Sequence, residues 1–230
     1  MAKNKKSSEE TIVDVQGVYS KTEQYVDDNK NTLLIIAGIL VVLFAGYFAV
    51  TRLYLEPRTE EGMNLLWKAE YWFEIDSLDK ALVGNESYYG FEYVADEYSA
   101  TKAGNLASYY CGIIYMEKGE FQLAIDYLKN ADLDDAIAGA VAKGTIGDAY
   151  LELGNYGEAI NYYEAAIDHS ENSLTTPTYL KKAGLVYEEL GSEDPSNYET
   201  ALKYFQRIKD DYPKSTEGRS IDAYIARVGG

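Results

Sequence analysis

The sequence predicts an all-α protein. A single N-terminal transmembrane helix leads into a right-handed α-solenoid of about four helix pairs, closed by a C-terminal capping helix. Three observations carry this. Leu33–Val50 is a run of 18 residues without a charge. A pattern of glycine, tyrosine, glycine and alanine recurs three times beyond residue 105. Only 4 prolines fall in 230 residues, so long helices can run uninterrupted.

Composition narrows the function before any motif is used. The chain carries 21 Lys+Arg against 38 Asp+Glu, a net charge of −17 with pI near 4.4. Nucleic acid is a poor partner, because affinity for it comes largely from basic side chains neutralising phosphates. One cysteine, Cys111, rules out an intramolecular disulfide and a multi-cysteine zinc site. One histidine, His169, argues against a histidine metal site or a Ser/His/Asp triad. No phosphate-cradling glycine loop, nucleophile elbow or metal-binding helix motif is present. The sequence predicts no enzyme, no cofactor, no metal site and no small-molecule substrate.

Leu33–Val50 would span roughly 27 Å as a helix, close to the hydrocarbon thickness of a bilayer. Lys30 and Arg52 flank it, and Tyr47 and Tyr54 lie where amphipathic rings favour the interface. A cleaved signal peptide has a shorter apolar region nearer the start and a small-residue site after it, and neither is found here. A lipoprotein needs a cysteine just after the apolar run, which is absent. The expectation is one uncleaved anchor, rather than a buried core helix. Five lysines before it face three bases in the stretch after Thr51, so charge counting hardly sets the orientation. Residues 1–55 are neutral, with six acids and six bases, so the whole excess of acid lies beyond residue 55. In the tail, Ile12, Val15, Val18/Tyr19 and Tyr25/Val26 fit either a short amphipathic helix or a frayed segment.

The repeat reads Gly112-x2-Tyr115-x3-Gly119-x4-Ala124, then Gly147-x2-Tyr150-x3-Gly154-x4-Ala159, then Gly184-x2-Tyr187-x3-Gly191-x9-Ala201. The glycines step by 35 and 37 residues, and five residues are inserted after Gly191. Each unit makes two antiparallel helices that cannot bury their apolar faces alone. The first glycine lets the paired helices approach, the tyrosine is expected to fill the gap between units, and the second glycine ends the helix in the left-handed region. Tyr163 and Ala166, Phe205 and Ile208, and Leu128 and Ala131 follow the alanine on one face, and Pro213 closes the last helix.

These residues resemble the tetratricopeptide repeat over 105–215, with Cys111, Ile146 and Ala183 at its usual leucine place and no tryptophan at the unit starts. A degenerate unit is expected ahead of them. Its first helix would cover about Thr59–Ile75, with Leu65, Leu66, Ala69, Trp72 and Phe73 on one face. Its second would run from about Ser87 to Tyr98, because Asp96-Glu97-Tyr98-x3-Lys102-x-Gly104 parallels Asp210-Asp211-Tyr212-x3-Thr216-x-Gly218. Ile221, Tyr224, Ile225 and Val228 make the capping helix. The organisation expected is therefore a cytoplasmic tail (1–31), the anchor (32–55), the degenerate first helical repeat (56–104), three repeats (105–215) and the cap (216–230). Pro57 is expected to break the helix and hold the domain close to the bilayer.

Candidate side chains outside this frame are few. Cys111 reads as a small buried hydrophobe. His169, at the end of a second helix, suits the helix dipole. Asp132–Asp135 lacks the glycine and closing glutamate of a calcium loop and reads as a solvated turn. Peptide binding is the remaining use, on the face built from the first helices. With units starting near Asn105, Ala140 and Pro177, that groove would present Tyr109, Ile113, Met116, Val141, Asp148, Leu151, Lys181, Leu185 and Glu188. The competing reading is that part of this set packs against a neighbouring helix. The basic, two-asparagine clamp that some tetratricopeptide domains use for acidic C-termini is missing, because Tyr109, Ile113 and Asp148 stand in its place. A basic or apolar peptide fits better.

The layout, with YLEP after the anchor, TKAGNLA, and LKKAGLVYEELG, resembles the bacterial membrane-anchored tetratricopeptide proteins related to the ancillary SecYEG translocon subunit. The resemblance implies a single-pass inner-membrane protein with its C-terminal domain in the periplasm. It implies a scaffold with a chaperone-like role, whose partners are the translocon, exported chains and periplasmic chaperones. The alternative is a structural adaptor of another envelope assembly, in outer-membrane protein assembly, secretion or gliding.

Overall fold

The computed structural model describes residues 15–229. The chain divides into two compact units, Met1–Tyr54 and Leu55–Gly230. In the tail, Ile12 lies outside the described residues, and the chain is helical from Val15.

Helix α1 spans Val15–Ala49 and contains the apolar run up to its last residue, Val50. From Leu34 to Phe48 its leucines, isoleucines, valines and phenylalanines are exposed, and a Cβ placed on Gly38 or Gly46 would touch nothing. No core accounts for so apolar a surface, and among the described residues one helix is long and apolar enough to cross a membrane.

The break expected at Pro57 is not made. Val50–Leu55 forms a π-helical segment, and helix α2 (Glu56–Glu74) follows with Pro57 in its first turn. A proline lacks an N–H and crowds the carbonyl four residues back, which is Leu53. A π turn, bonded to the fifth residue, relaxes that register where the clash would fall.

The second unit begins with α2, then α3 (Leu78–Val83), a two-stranded hairpin of β1 (Gly84–Asn85) and β2 (Tyr88–Tyr89), and α4 (Phe91–Glu97). The expected helix from Ser87 therefore starts later, at Phe91. Asn85 Oδ1 accepts from the Ser87 N–H at 2.8 Å and sets a turn where a helix was expected. Gly84 sits at φ 75°, and a Cβ on Gly90 would come within 2.2 Å of the Leu82 carbonyl oxygen. Leu66 and Ala69 are buried as the helical pattern requires, with Leu65, Trp72 and Phe73 packed on the same cluster.

Three helix pairs follow: α5 (Lys102–Glu117) with α6 (Phe121–Asn130), α7 (Ala138–Glu152) with α8 (Tyr156–His169), and α9 (Thr176–Leu190) with α10 (Ser196–Asp211). Each has the same internal contact. A Cβ on Gly112, Gly147 or Gly184 would lie 2.3, 2.7 or 2.5 Å from Leu128, Tyr163 or Phe205 of its partner helix. Ala124, Ala159 and Ala201 are wholly buried. Gly119 and Gly154, at φ 73° and 71°, close two first helices. There the N–H of Glu120 bonds to the Tyr115 carbonyl at 2.9 Å, and that of Asn155 to Tyr150 at 2.8 Å, the six-to-one bond of a Schellman cap.

One expectation is corrected here and one is extended. Gly191 is right-handed at φ −61°, because the inserted residues extend α9 by further turns to Asp194. What requires glycine there is space, since a Cβ would meet the Tyr198 ring at 2.5 Å. The repeat tyrosines do more than fill the gap between units, where Tyr115 packs on the cluster of Phe91 and Val94 and Tyr150 on that of Ile125 and Leu128. Each stacks on a tyrosine of its own second helix, with centroids 5.5 Å apart in Tyr115–Tyr127, Tyr150–Tyr162 and Tyr187–Tyr204. The pairs also reach the preceding unit through polar contacts: Tyr115 to Glu92, Lys129 to Tyr150, and Tyr204 to Glu164.

The parallel between Tyr98 and Tyr212 has a cause that the sequence comparison passed over. Thr101 and Ser215 donate to those two tyrosines' carbonyls at 2.7 and 2.9 Å and accept from the Gly104 and Gly218 amides. A Cβ on either glycine would come within 2.1–2.2 Å of the tyrosine carbonyl. The second corner launches α11 (Ile221–Val228), whose Ile221 is buried and whose Tyr224, Ile225 and Val228 pack on the α9–α10 core.

Candidate peptide-binding groove

The face of α7 and α9 carries a cavity of about 330 Å³, near the small end of the roughly 300–1,000 Å³ range of ligand pockets. At its floor Asp148 accepts from the Tyr163 hydroxyl at 2.7 Å and from the Lys182 ammonium at 2.7 and 2.6 Å. Lys182 also lies 5.9 and 5.8 Å from the ring centroids of Tyr163 and Tyr179. Leu151, Leu185, Val186 and Tyr156 make the walls, with Glu189 at the rim. Burial, and then the Asp148 carboxylate, push the Tyr163 and Tyr179 phenols up. Tyr163 therefore stays a neutral donor at ordinary pH. With Asp148 matched by Lys182, Glu189 leaves the rim acidic.

The groove residues chosen from the sequence fall into three groups. Asp148, Leu151 and Leu185 line this cavity together. Tyr109 and Met116 pack against buried residues between the α5–α6 and α7–α8 pairs, while Ile113 and Val141 are half-buried. Lys181 and Glu188 are covered by the cap: the Lys181 ammonium lies 4.6 Å from the Tyr224 ring, and Glu188 pairs with Arg227. Sequence reasoning missed Lys182, Tyr163, Tyr156, Val186 and Glu189. One signal was available, because Asp148 and Lys182 are 34 residues apart, which places opposite charges one repeat along on adjacent first helices.

Outside the groove, Cys111 is fully buried in the core, and burial pushes its thiol up. His169 Nε2 lies 3.1 Å from the Asp135 carbonyl and its ring fills the space over Gly139, so it ties the α6–α7 loop to the end of α8. Asp135 does more than occupy a solvated turn. Its carboxylate accepts the Ala138 and Ile137 amides at 2.8 and 2.9 Å at the start of α7, and those bonds hold its carboxyl low. Among the described residues no cluster of three or more His, Cys, Asp or Glu could hold a metal.

Tetratricopeptide repeat models match residues 140–173 and 181–215, the α7–α8 and α9–α10 pairs. An uncharacterised protein of Guillardia theta, ycf37, is 35% identical over 92 residues, which covers 38% of this chain. The match spans half the length of that relative, 50% of it. The glycine and tyrosine geometry of these pairs recurs in the α5–α6 pair, so the domain beyond Leu55 is an array of helical repeats, at least two of them tetratricopeptide repeats.

Proposed function

We propose that the chain is a membrane-anchored scaffold that holds an apolar or basic segment of a partner protein in the α7–α9 groove. Tetratricopeptide repeats are protein-interaction scaffolds, which is the frame for this reading. The observation that carries it is the cavity itself: apolar walls, an internally neutralised Asp148–Lys182 floor and an acidic rim. An acidic peptide would meet repulsion there, and a basic one would be drawn in by the domain's charge. In its finer form the scaffold is an accessory of the SecYEG export channel, with the domain in the periplasm of a bacterial inner-membrane protein and exported chains or periplasmic chaperones as clients. The layout of tail, apolar span and acidic repeat domain supports that form.

The test is photo-crosslinking in living cells from Leu151 and Leu185, with the exposed α8 residues Asn161 and Asp168 as controls. Capture of one partner from the groove positions alone is expected, and equal labelling at the controls would remove the groove. Export-channel subunits or exported chains among the products support the finer reading. Components of another envelope assembly would replace it with an adaptor role. Protease added to spheroplasts should digest residues beyond 56, and the reverse pattern would place the domain in the cytoplasm.

A further inference from the structure

The two ends of the array are finished differently. Gly104, Gly139, Thr176 and Gly218 stand at equivalent places at the starts of α5, α7, α9 and α11. Three residues on are Ala107, Ala142, Tyr179 and Ile221, between 0% and 6% exposed. Ten residues on are Ile114, Ala149 and Val186, between 0% and 2% exposed, and the half-buried Val228. These places are buried because each faces the helix pair before it: Ala142, Ile146 and Ala149 of α7 share a cluster with Ile125 and Leu128 of α6.

Helix α2 has the same frame. Gly62 lies against Ala103 at the start of α5 and against the Tyr98 ring, where a Cβ would come within 2.7 and 3.1 Å, and that contact places Glu61 at the equivalent start. Counted from it, the two places hold Asn64, which is exposed, and Tyr71, 53% exposed. Trp67, between them, is 62% exposed, and Ile75 continues the stripe one turn further. Within the repeat domain no helix pair precedes α2, and the face that every later first helix buries is left open there. A solenoid end needs a solvating cap. The C-terminal end has α11. The opposite end keeps two large aromatics and a cavity of about 500 Å³ beside the hairpin, lined by Trp67, Lys68 and Tyr88 among others.

We propose that this end face docks an amphipathic helix of another protein, seated where a preceding helix pair would be. The apolar side of the guest covers Trp67, Tyr71 and Ile75, with one side chain entering the cavity. Its edges carry Lys or Arg, because the surround is acidic. Glu60, Glu74, Asp76 and Glu86 are exposed and join no ion pair among the described residues, against Lys68 and Lys80, the latter over the Trp72 ring. A second copy would bring the same acidic rim and a domain of the same sign, which disfavours it. The site is distinct from the α7–α9 groove and does not depend on it.

The test uses the full chain in nanodiscs of zwitterionic lipid, with empty discs subtracted. The probe is a labelled synthetic amphipathic helix with a leucine stripe and lysine edges, and a twin with glutamate edges. The lysine peptide is expected to bind the native chain at least tenfold more tightly than a Trp67→Ala/Tyr71→Ala variant of unchanged helix content. Its affinity should fall as salt rises, and the glutamate twin should bind at least tenfold more weakly. Equal affinity for the variant, or equal binding of the twin, overturns the proposal. So does a native chain that places two copies in one disc where the variant places one, since the face would then belong to a second copy.

Discussion

Helices α2 and α9 occupy the same place in the first and the last helix pair and present opposite surfaces. On α9, Tyr179 and Val186 are sealed against the α7–α8 pair. On α2, the equivalent positions are exposed, with Trp67 beside them. Their second helices differ too. α10 is a single helix of 16 residues, whereas the corresponding stretch after α2 is cut into α3, a hairpin and the 7-residue α4. The inner halves agree: Phe91 and Phe205 are both wholly buried, each seven residues before its corner tyrosine. A repeat is therefore defined by its internal contacts. What its outer face does depends on whether a neighbour stands there.

The comparison can be broken most severely at its shared core. Phe91→Ala and Phe205→Ala should each cost about 3–5 kcal/mol, the range for truncating a buried phenylalanine. Urea unfolding of the full chain measures both, and a loss under about 1 kcal/mol at Phe91 would show that the first pair lacks the frame of the others. Next come the outer faces. Ile114→Ala should cost about 2–5 kcal/mol, while Tyr71→Ala at the equivalent place should stay within about 0.5. Similar losses at both would mean that something covers α2 in the isolated chain. Gly147→Leu should cost about 1–3 kcal/mol or more, because its Cβ would lie 2.7 Å from the Tyr163 ring and 3.1 Å from the Ala159 carbonyl. A loss below about 0.5 would reject the tight crossing.

Two effects of pH sharpen the contrast between buried tyrosine stacks and exposed corners. Burial, reinforced by nearby carboxylates, pushes the phenols of Tyr115, Tyr163, Tyr179 and Tyr204 up. Their unfolded values lie near about 10. Stability from them is complete below that pH and is lost as pH rises from there toward the higher folded values. After the gradual titration of exposed tyrosines such as Tyr71, the tyrosinate absorbance of these four should appear cooperatively with loss of helix, and gradual titration of every tyrosine without unfolding would contradict the burial. The smallest effect is at Glu171, whose carboxyl is held low by the Tyr212 hydroxyl and then by Arg207. Its contribution is present above about pH 4.3 and fades as pH falls through the lower folded value. Glu171→Gln should flatten that limb slightly, and an unchanged acid midpoint would assign no role to the cluster.

The sequence by itself determined the all-helical class, the apolar span and the internal geometry of the repeats. Those properties are written in local periodicity and in residues whose size admits one contact: glycine under Leu128, Tyr163 and Phe205, and alanine on the facing helix. It also fixed the two corners at Tyr98 and Tyr212, since a hydroxyl and a glycine at set offsets close the same turn. Only the tertiary structure decided which first-helix residues stay open. Lys181 and Lys182 are adjacent in sequence, yet one is taken by the cap and the other forms the groove floor. Tyr71 and Val186 share a place in the frame, yet one meets solvent and the other a helix pair. Periodicity says which side of a helix is apolar. Whether that side is covered depends on residues a whole repeat away, and that information enters only when the chain stacks.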